Sequence, residues 1–184
     1  MEDLSLHILD VAENGVAAGA SLIEISVVED VSHDRLVVVI QDNGRGMEPE
    51  FLARVLDPFT TTRKTRKVGL GLSLFQQSAQ EAEGDLVVES TPGLGTKVTA
   101  RMRYSHIDRK PMGDTAETMV TLIEGNPEID FIYRHEKDGR RYVLDTREIR
   151  ADLEEIPLNH LEVLNLIREN LREGLNEVAQ DPRE

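Results

Sequence analysis

With 184 residues, 39% of them hydrophobic, 4% aromatic and none cysteine, the chain can build a core of Val, Ile and Leu but no disulfide, thiolate metal site or cysteine nucleophile. A net charge of −14 argues against a nucleic-acid binder, whose electrostatic footprint is basic. No run approaches the ~18 apolar residues of a membrane span, and the acidic start at Glu2 and Asp3 is unlike a secretory leader, so a cytoplasmic setting without membrane attachment is expected.

Residues 3–17 predict a helix, because Leu4, Ile8, Leu9, Val11, Ala12 and Val16 recur at helical spacing. Gly15 and Gly19 weaken its far end. Asp10 and Asn14 are four apart and therefore share one face. Residues 22–28 alternate Ile23, Ile25 and Val27 with polar neighbours, the pattern of a strand with one buried face. Residues 36–40 are a continuous apolar run typical of a central strand, closed by the turn signal Asp42-Asn43-Gly44. Pro49 starts a short helix. Residues 57–68 predict an irregular segment that ends in the basic run Arg63, Lys64, Arg66 and Lys67.

Residues 70–82 predict a helix that opens on glycines, and residues 85–89 and 98–102 predict strands joined through Pro92-Gly93-Leu94-Gly95. Composition shifts near Tyr104, and residues 105–113 look like a linker, so two units are expected, 1–104 and 105–184. The second unit predicts a small α-β-β-α module. Asp114 or Thr115 caps a helix to about Ile123, residues 129–134 and 141–144 form a hairpin around Lys137-Asp138-Gly139, and residues 158–178 form a long helix. Leu161, Leu164, Ile167, Leu171, Leu175 and Val178 give that helix an apolar stripe, which either packs on its own domain or pairs two chains as a homodimer.

Three segments carry chemistry. Asp42, at the end of a buried strand, can accept a hydrogen bond from the exocyclic amine of adenine, while Gly44 and Gly46 let the backbone approach the ring. A plain hairpin turn is the competing reading. Gly69-Leu70-Gly71-Leu72 offers the amides and dipole of a helix start to an anion. It lacks the Gly-Lys-Ser/Thr of a Walker A loop, and it follows a basic loop where a dinucleotide fingerprint follows a strand. A glycine-assisted helix start is its alternative. Asn14 offers an amide oxygen to a hard cation such as magnesium, and Asp10 can orient or deprotonate a nucleophile near a terminal phosphate. For these two, the alternative is a polar pair facing solvent. The basic run either neutralises phosphates or is a solvated loop.

In order and spacing, these segments resemble the ATP-binding domain shared by sensor histidine kinases, anti-sigma-factor serine kinases, the Hsp90 chaperones, DNA gyrase and MutL, the GHKL or Bergerat ATPases. Leu9-Asp10-Val11-Ala12-Glu13-Asn14 is similar to the N box, Asp42-Asn43-Gly44-Arg45-Gly46-Met47 to the G1 box, Asp57-Pro58-Phe59-Thr60 to the F box and Gly69-Leu70-Gly71-Leu72-Ser73 to the G2 box, with Gly93-Leu94-Gly95-Thr96 resembling the following glycine turn. The resemblance spans residues 1 to about 103. It implies an α+β fold, a two-layer α/β sandwich with a mixed sheet and helices on one face. It also implies ATP and Mg2+ as cofactors, with Asn14 on the metal and Asp42 on adenine. A lid over residues 47–68 would start at Met47 and carry Arg63, Lys64 and Lys67. Gly69, Leu70, Gly71 and Leu72 would form its phosphate-contacting hinge, and Thr96 would support hydrogen bonding on the adenine side.

The chain departs from that pattern in places. Ala17 stands where histidine kinases often carry lysine, and Asp10 replaces the usual Asn or Glu. No dimerising hairpin with an acceptor histidine is expected ahead of His7. His7 is expected to serve a packing or surface role, His135 falls at a strand end and is expected to be no acceptor, and His33, His106 and His160 lack metal-ligand spacing. The expectation is a Mg-ATP-binding regulatory protein, a protein-kinase-like phosphotransferase that uses Asp10 as base on a partner protein's hydroxyl. The alternative is an ATP-sensing module with little turnover.

Overall fold

The computed structural model describes residues 3–57 and 68–180. Its core is a six-stranded mixed sheet in the order β3-β4-β2-β1-β5-β6. The strands are β1 (Leu22–Asp30), β2 (Arg35–Asp42), β3 (Asp85–Thr91), β4 (Gly95–Arg103), β5 (Asp130–Lys137) and β6 (Arg140–Asp145). Every neighbouring pair is antiparallel except β1 with β5. Register aligns Val88, Val98, Ile40, Ile25, Tyr133 and Leu144 in one row across all six strands. Ile25 and Tyr133 in that row are wholly buried. One residue away, Glu89, Lys97, Gln41 and Glu24 align on the opposite, wetter face. The period of two expected from the sequence is therefore what separates core from solvent.

Four helices cover the apolar side: α1 (Leu4–Ala17), α3 (Val68–Glu81), α4 (Thr115–Gly125) and α6 (Leu161–Ala179). The remaining helices are α2 (Pro49–Leu52) and α5 (Thr146–Leu153). Asp3 caps α1 by accepting from the Leu6 N–H at 3.1 Å. Two more first-turn amides of α1, those of Leu4 and Ser5, donate to the carbonyls of Pro111 and Met112 at 2.9 and 2.8 Å. The segment after β4 thus anchors the helix that carries Asp10 and Asn14. Asp114 caps α4 through the Glu117 N–H at 2.9 Å.

The composition shift near Tyr104 marks the loop between β4 and α4. The two expected units, 1–104 and 105–184, share one sheet through β1 and β5 and one apolar core. The helix α5 was not expected. Its eight residues, Thr-Arg-Glu-Ile-Arg-Ala-Asp-Leu, carry only one apolar pair at helical spacing, Ile149 and Leu153, which packs against the core, and Asp145 starts it by accepting from the Arg147 N–H at 3.0 Å. On α6 the buried stripe is Val163, Leu164, Ile167, Leu171 and Val178, with Leu175 half-buried. Leu161 is 70% exposed, because it is the first residue of the helix, at the edge of that stripe.

Candidate nucleotide site

The last residue of β2 is Asp42, and register places it beside Thr96 on β4. Its Oδ1 accepts from the Gly44 N–H at 2.8 Å. Burial pushes the Asp42 carboxyl above the ordinary carboxylate range, against the pull of the Gly44 and Thr96 amides. A carboxylate that is half-buried and only partly satisfied is suited to a further hydrogen-bond donor. Beside it, Ser90 Oγ accepts from the Met47 N–H at 2.9 Å and shares a 2.8 Å hydrogen bond with Thr96 Oγ1. The start of the expected lid is thereby pinned to β3, whose Ser90 bonds in turn to Thr96 on β4, the strand beside Asp42. Gly46, between β2 and α2, has φ +68°, and a Cβ there would fall 2.1 Å from the Thr91 carbonyl oxygen. No other residue fits that position.

A cavity of about 300 Å³ opens over this group. Asn14, Asp42, Gly46, Met47, Leu72 and Thr96, all expected from the sequence, line it. Gly44 is buried beneath the turn and does not line it. A second cavity of about 480 Å³ is lined by Asp10, Asn14, Leu70 and Gly71. Asn14 and Ala17 belong to both walls, so the two spaces meet on one face of α1. Of the expected adenine-side residues, Asp42, Gly46 and Thr96 thus line the inner space; of the expected phosphate-contacting hinge, Leu70 and Gly71 line the outer space and Leu72 the inner one, with Asn14 at the junction. Among the described residues the Asn14 side-chain amide has no hydrogen-bond partner, which leaves its oxygen available to a cation.

Asp10 is half-buried, and burial raises its carboxyl above the ordinary range, in the direction that suits a proton acceptor. Against it lies Gly71, whose missing side chain lets α3 approach α1. Because α3 begins at Val68, the free amides of its first turn end with Leu70, and Gly71 sits one residue further in. The contribution of Gly71 is therefore space beside Asp10. Arg63, Lys64 and Lys67 lie outside the described residues, as does the second half of the expected lid.

Sequence reasoning did not single out Val11, Ala18, Arg45, Glu48, Phe51 and Val98 in the inner cavity, or Glu13, Val16 and Asn126 in the outer one. Val11 and Val98 carried a signal that was read only as core. Asn126 carried none, since it follows α4, far along the chain from the three motifs.

Residues 2–106 match the family described as histidine kinase-, DNA gyrase B- and HSP90-like ATPases, more than half of the chain. A putative sensor protein of Shewanella frigidimarina is 32% identical over 99 residues, covering 53% of this chain and 15% of that protein. The autoinducer 2 sensor kinase/phosphatase LuxQ of Vibrio harveyi is 31% identical over 172 residues, covering 76% of this chain and 20% of that protein. The chain thus spans a fifth or less of the length of these relatives. A crystal structure of the N-terminal domain of a DNA repair protein shares the fold with a TM-score of 0.53 at 17% identity, covering 79% of this chain and 53% of that one. From α1 through β4, then, sequence and fold agree: the chain belongs to the histidine kinase-, DNA gyrase B- and HSP90-like ATPase family.

Proposed function

We propose that this chain binds Mg-ATP in the paired cavities and transfers the terminal phosphoryl group to a hydroxyl of a partner protein. The observation that carries this reading is the position of Asn14, shared by the cavity that holds Asp42 and Thr96 and the cavity that holds Asp10. Adenine would donate its amine to Asp42 and lie against Val11, Met47, Phe51, Leu72 and Val98. Among the described residues no group of three His, Cys, Asp or Glu can hold a metal ion. Asn14 would therefore supply one oxygen, with phosphate oxygens and water completing the shell, as is common for magnesium. Bound magnesium would neutralise charge on the phosphates. Asp10 would take the proton of the attacking hydroxyl as the new O–P bond forms. The bond from the terminal phosphorus to the bridging oxygen then breaks, and ADP leaves.

Calorimetry with Mg-ATP, followed by incubation with labelled ATP and candidate partner proteins, tests this. Binding with label on a partner is the expected outcome. No binding under saturating Mg-ATP overturns the site, and binding without transfer or phosphate release overturns the phosphotransferase.

A second reading rests on Met47, Glu48 and Phe51, which bring the start of the lid into the nucleotide cavity. Occupancy would then be reported through the lid to a partner protein, with little turnover. Tight Mg-ATP binding without phosphate release, together with nucleotide-dependent proteolysis between residues 57 and 68, would favour it.

A further inference from the structure

The outer cavity has a wall that the family-matched segment does not provide. Asn126, the residue that ends α4, lines it together with Asp10, Glu13 and Asn14 of α1. Asn126 is held on three sides. Its Nδ2 donates to the Leu122 carbonyl at 2.9 Å, its N–H donates to the Ile123 carbonyl at 3.3 Å, and its own carbonyl accepts from the Ile129 N–H at 3.1 Å. Its side-chain oxygen has no partner among the described residues. The amide is thus fixed at the rim of the Asp10 cavity with one acceptor free. Residue 126 lies beyond the residues 2–106 that match the family model.

Among the described residues the charge of the cavity is one-sided: two carboxylates, Asp10 and Glu13, line it, and no Lys, Arg or His does. The carbonyl end of α4 adds the negative pole of a helix whose last turn has no basic residue. Glu13 is exposed, and Asp10, Glu13 and Asn14 share one helix face at spacings of three and four. A terminal phosphate beside Asn14, where the two cavities meet, would make the surroundings more anionic still. An acceptor that carries an acidic group beside its hydroxyl would be repelled there, and one that carries a cation would be drawn in.

We propose that the outer cavity receives the phosphoryl acceptor, that Asn126 accepts a hydrogen bond from the acceptor segment and orients its hydroxyl toward Asp10, and that Glu13 selects a hydroxyl flanked by a positive charge. This rests on the phosphotransferase reading above. The acceptor class is a basic serine- or threonine-bearing segment. The net charge of −14 favours the same partner at longer range.

The test uses the full chain, labelled Mg-ATP and two serine peptides identical except for Lys or Glu beside the serine. The Lys peptide is expected to be labelled about tenfold faster than the Glu peptide. Glu13→Lys should reverse that order, compared at saturating Mg-ATP for each variant, and Glu13→Gln should flatten it. Asn126→Ala should lower kcat for the Lys peptide without altering the KM for ATP. Equal labelling, a preference for the Glu peptide, or an unmoved preference in both Glu13 variants overturns the proposal. So does a parent that binds Mg-ATP yet labels neither peptide, a result that leaves the nucleotide site standing. A parent that does not bind Mg-ATP removes both.

Discussion

Gly71 of α3 lies so close to Asp10 of α1 that a Cβ at position 71 would stand 3.0 Å from Asp10 Oδ2 and 3.3 Å from Asp10 Cβ. Two opposing effects follow for Gly71→Ala. Helix propensity favours alanine in a helix interior by up to about 1 kcal/mol. Overpacking against Asp10 costs about 1–3 kcal/mol, or moves the carboxylate to relieve it. The Asp10 side chain borders a cavity and can give way, so the expected result is nearly unchanged stability with a displaced base. Phosphoryl transfer should fall about tenfold or more, because small displacements of reacting groups are costly. Mg-ATP affinity should change less. Equal losses in binding and turnover would show that Gly71 serves the nucleotide and not Asp10.

Asp42→Asn separates function from stability. Burial raises the carboxyl of Asp42, so its folded-state pKa lies above the unfolded one. A group of that sign contributes stability below its unfolded pKa and loses it as pH rises through the folded pKa. At neutral pH the ionised carboxylate therefore costs folding energy, and the amide removes that cost. Asp42→Asn should melt at the same or a higher temperature than the parent. It should bind Mg-ATP more weakly by about 1.5–3 kcal/mol, the worth of a charge-assisted hydrogen bond. A variant that loses stability together with binding would mean that Asp42 holds the turn and not the base.

The two polar anchors were legible because each ends a strong pattern: Asn14 closes a helical apolar face, and Asp42 closes a continuous β run. Their mutual approach follows from the family resemblance more than from spacing. What remained hidden was non-local. The pairing of β1 with β5 joins residues about a hundred positions apart, and parallel neighbours leave no turn between them to read. The shift in composition at Tyr104 therefore looked like a boundary, although the sheet crosses it. Asn126 enters the outer cavity only because α4 packs on α1, and no local signal records that packing. Helix α5 offers only one apolar pair, Ile149 and Leu153, too short a pattern to mark a helix, and Leu161 fitted a period whose first turn is exposed.

His7 predicts an acid-sensitive fold. It is 2% exposed and stacks on Phe75 with ring centroids 4.8 Å apart. Among the described residues its Nδ1 has no hydrogen-bond partner. Burial, with a smaller contribution from Lys110, lowers its pKa from 6.5 to about 4. The folded-state value lies below the unfolded one, so between those limits the unfolded chain binds a proton that the folded chain refuses. Stability is fully present above pH 6.5 and falls as pH drops toward 4, by up to about 3 kcal/mol at 1.36 kcal/mol per unit. His7→Leu should make urea midpoints fall less steeply over that range and should leave pH 7.5 stability unchanged or higher. Parallel curves for parent and variant would assign the acid sensitivity to another group.

The junction of β1 and β5 carries an ionic test in the same direction of pH but at a carboxylate. His135 Nε2 lies 2.6 Å from Glu29 Oε1, and the Tyr133 hydroxyl lies 2.8 Å from His135 Nδ1. Burial works to raise the Glu29 carboxyl, but the His135 hydrogen bond and charge, with Lys137 and Tyr104, bring it below the ordinary value of 4.5. With its folded-state pKa below the unfolded one, Glu29 contributes stability above pH 4.5, lost as pH falls through the folded value. His135→Ala removes the largest lowering partner and leaves a half-buried carboxylate under desolvation. The variant should lose about 1.5–3 kcal/mol at pH 7, typical of a hydrogen bond to a charged group. Its Glu29 should titrate above the ordinary range by carboxyl NMR. The gap to the parent should narrow toward pH 4, because a protonated Glu29 no longer needs a partner for its charge. A gap that stays constant with pH would mean that His135 stabilises the junction by packing alone, and that the Glu29 contact adds no ionic stability there.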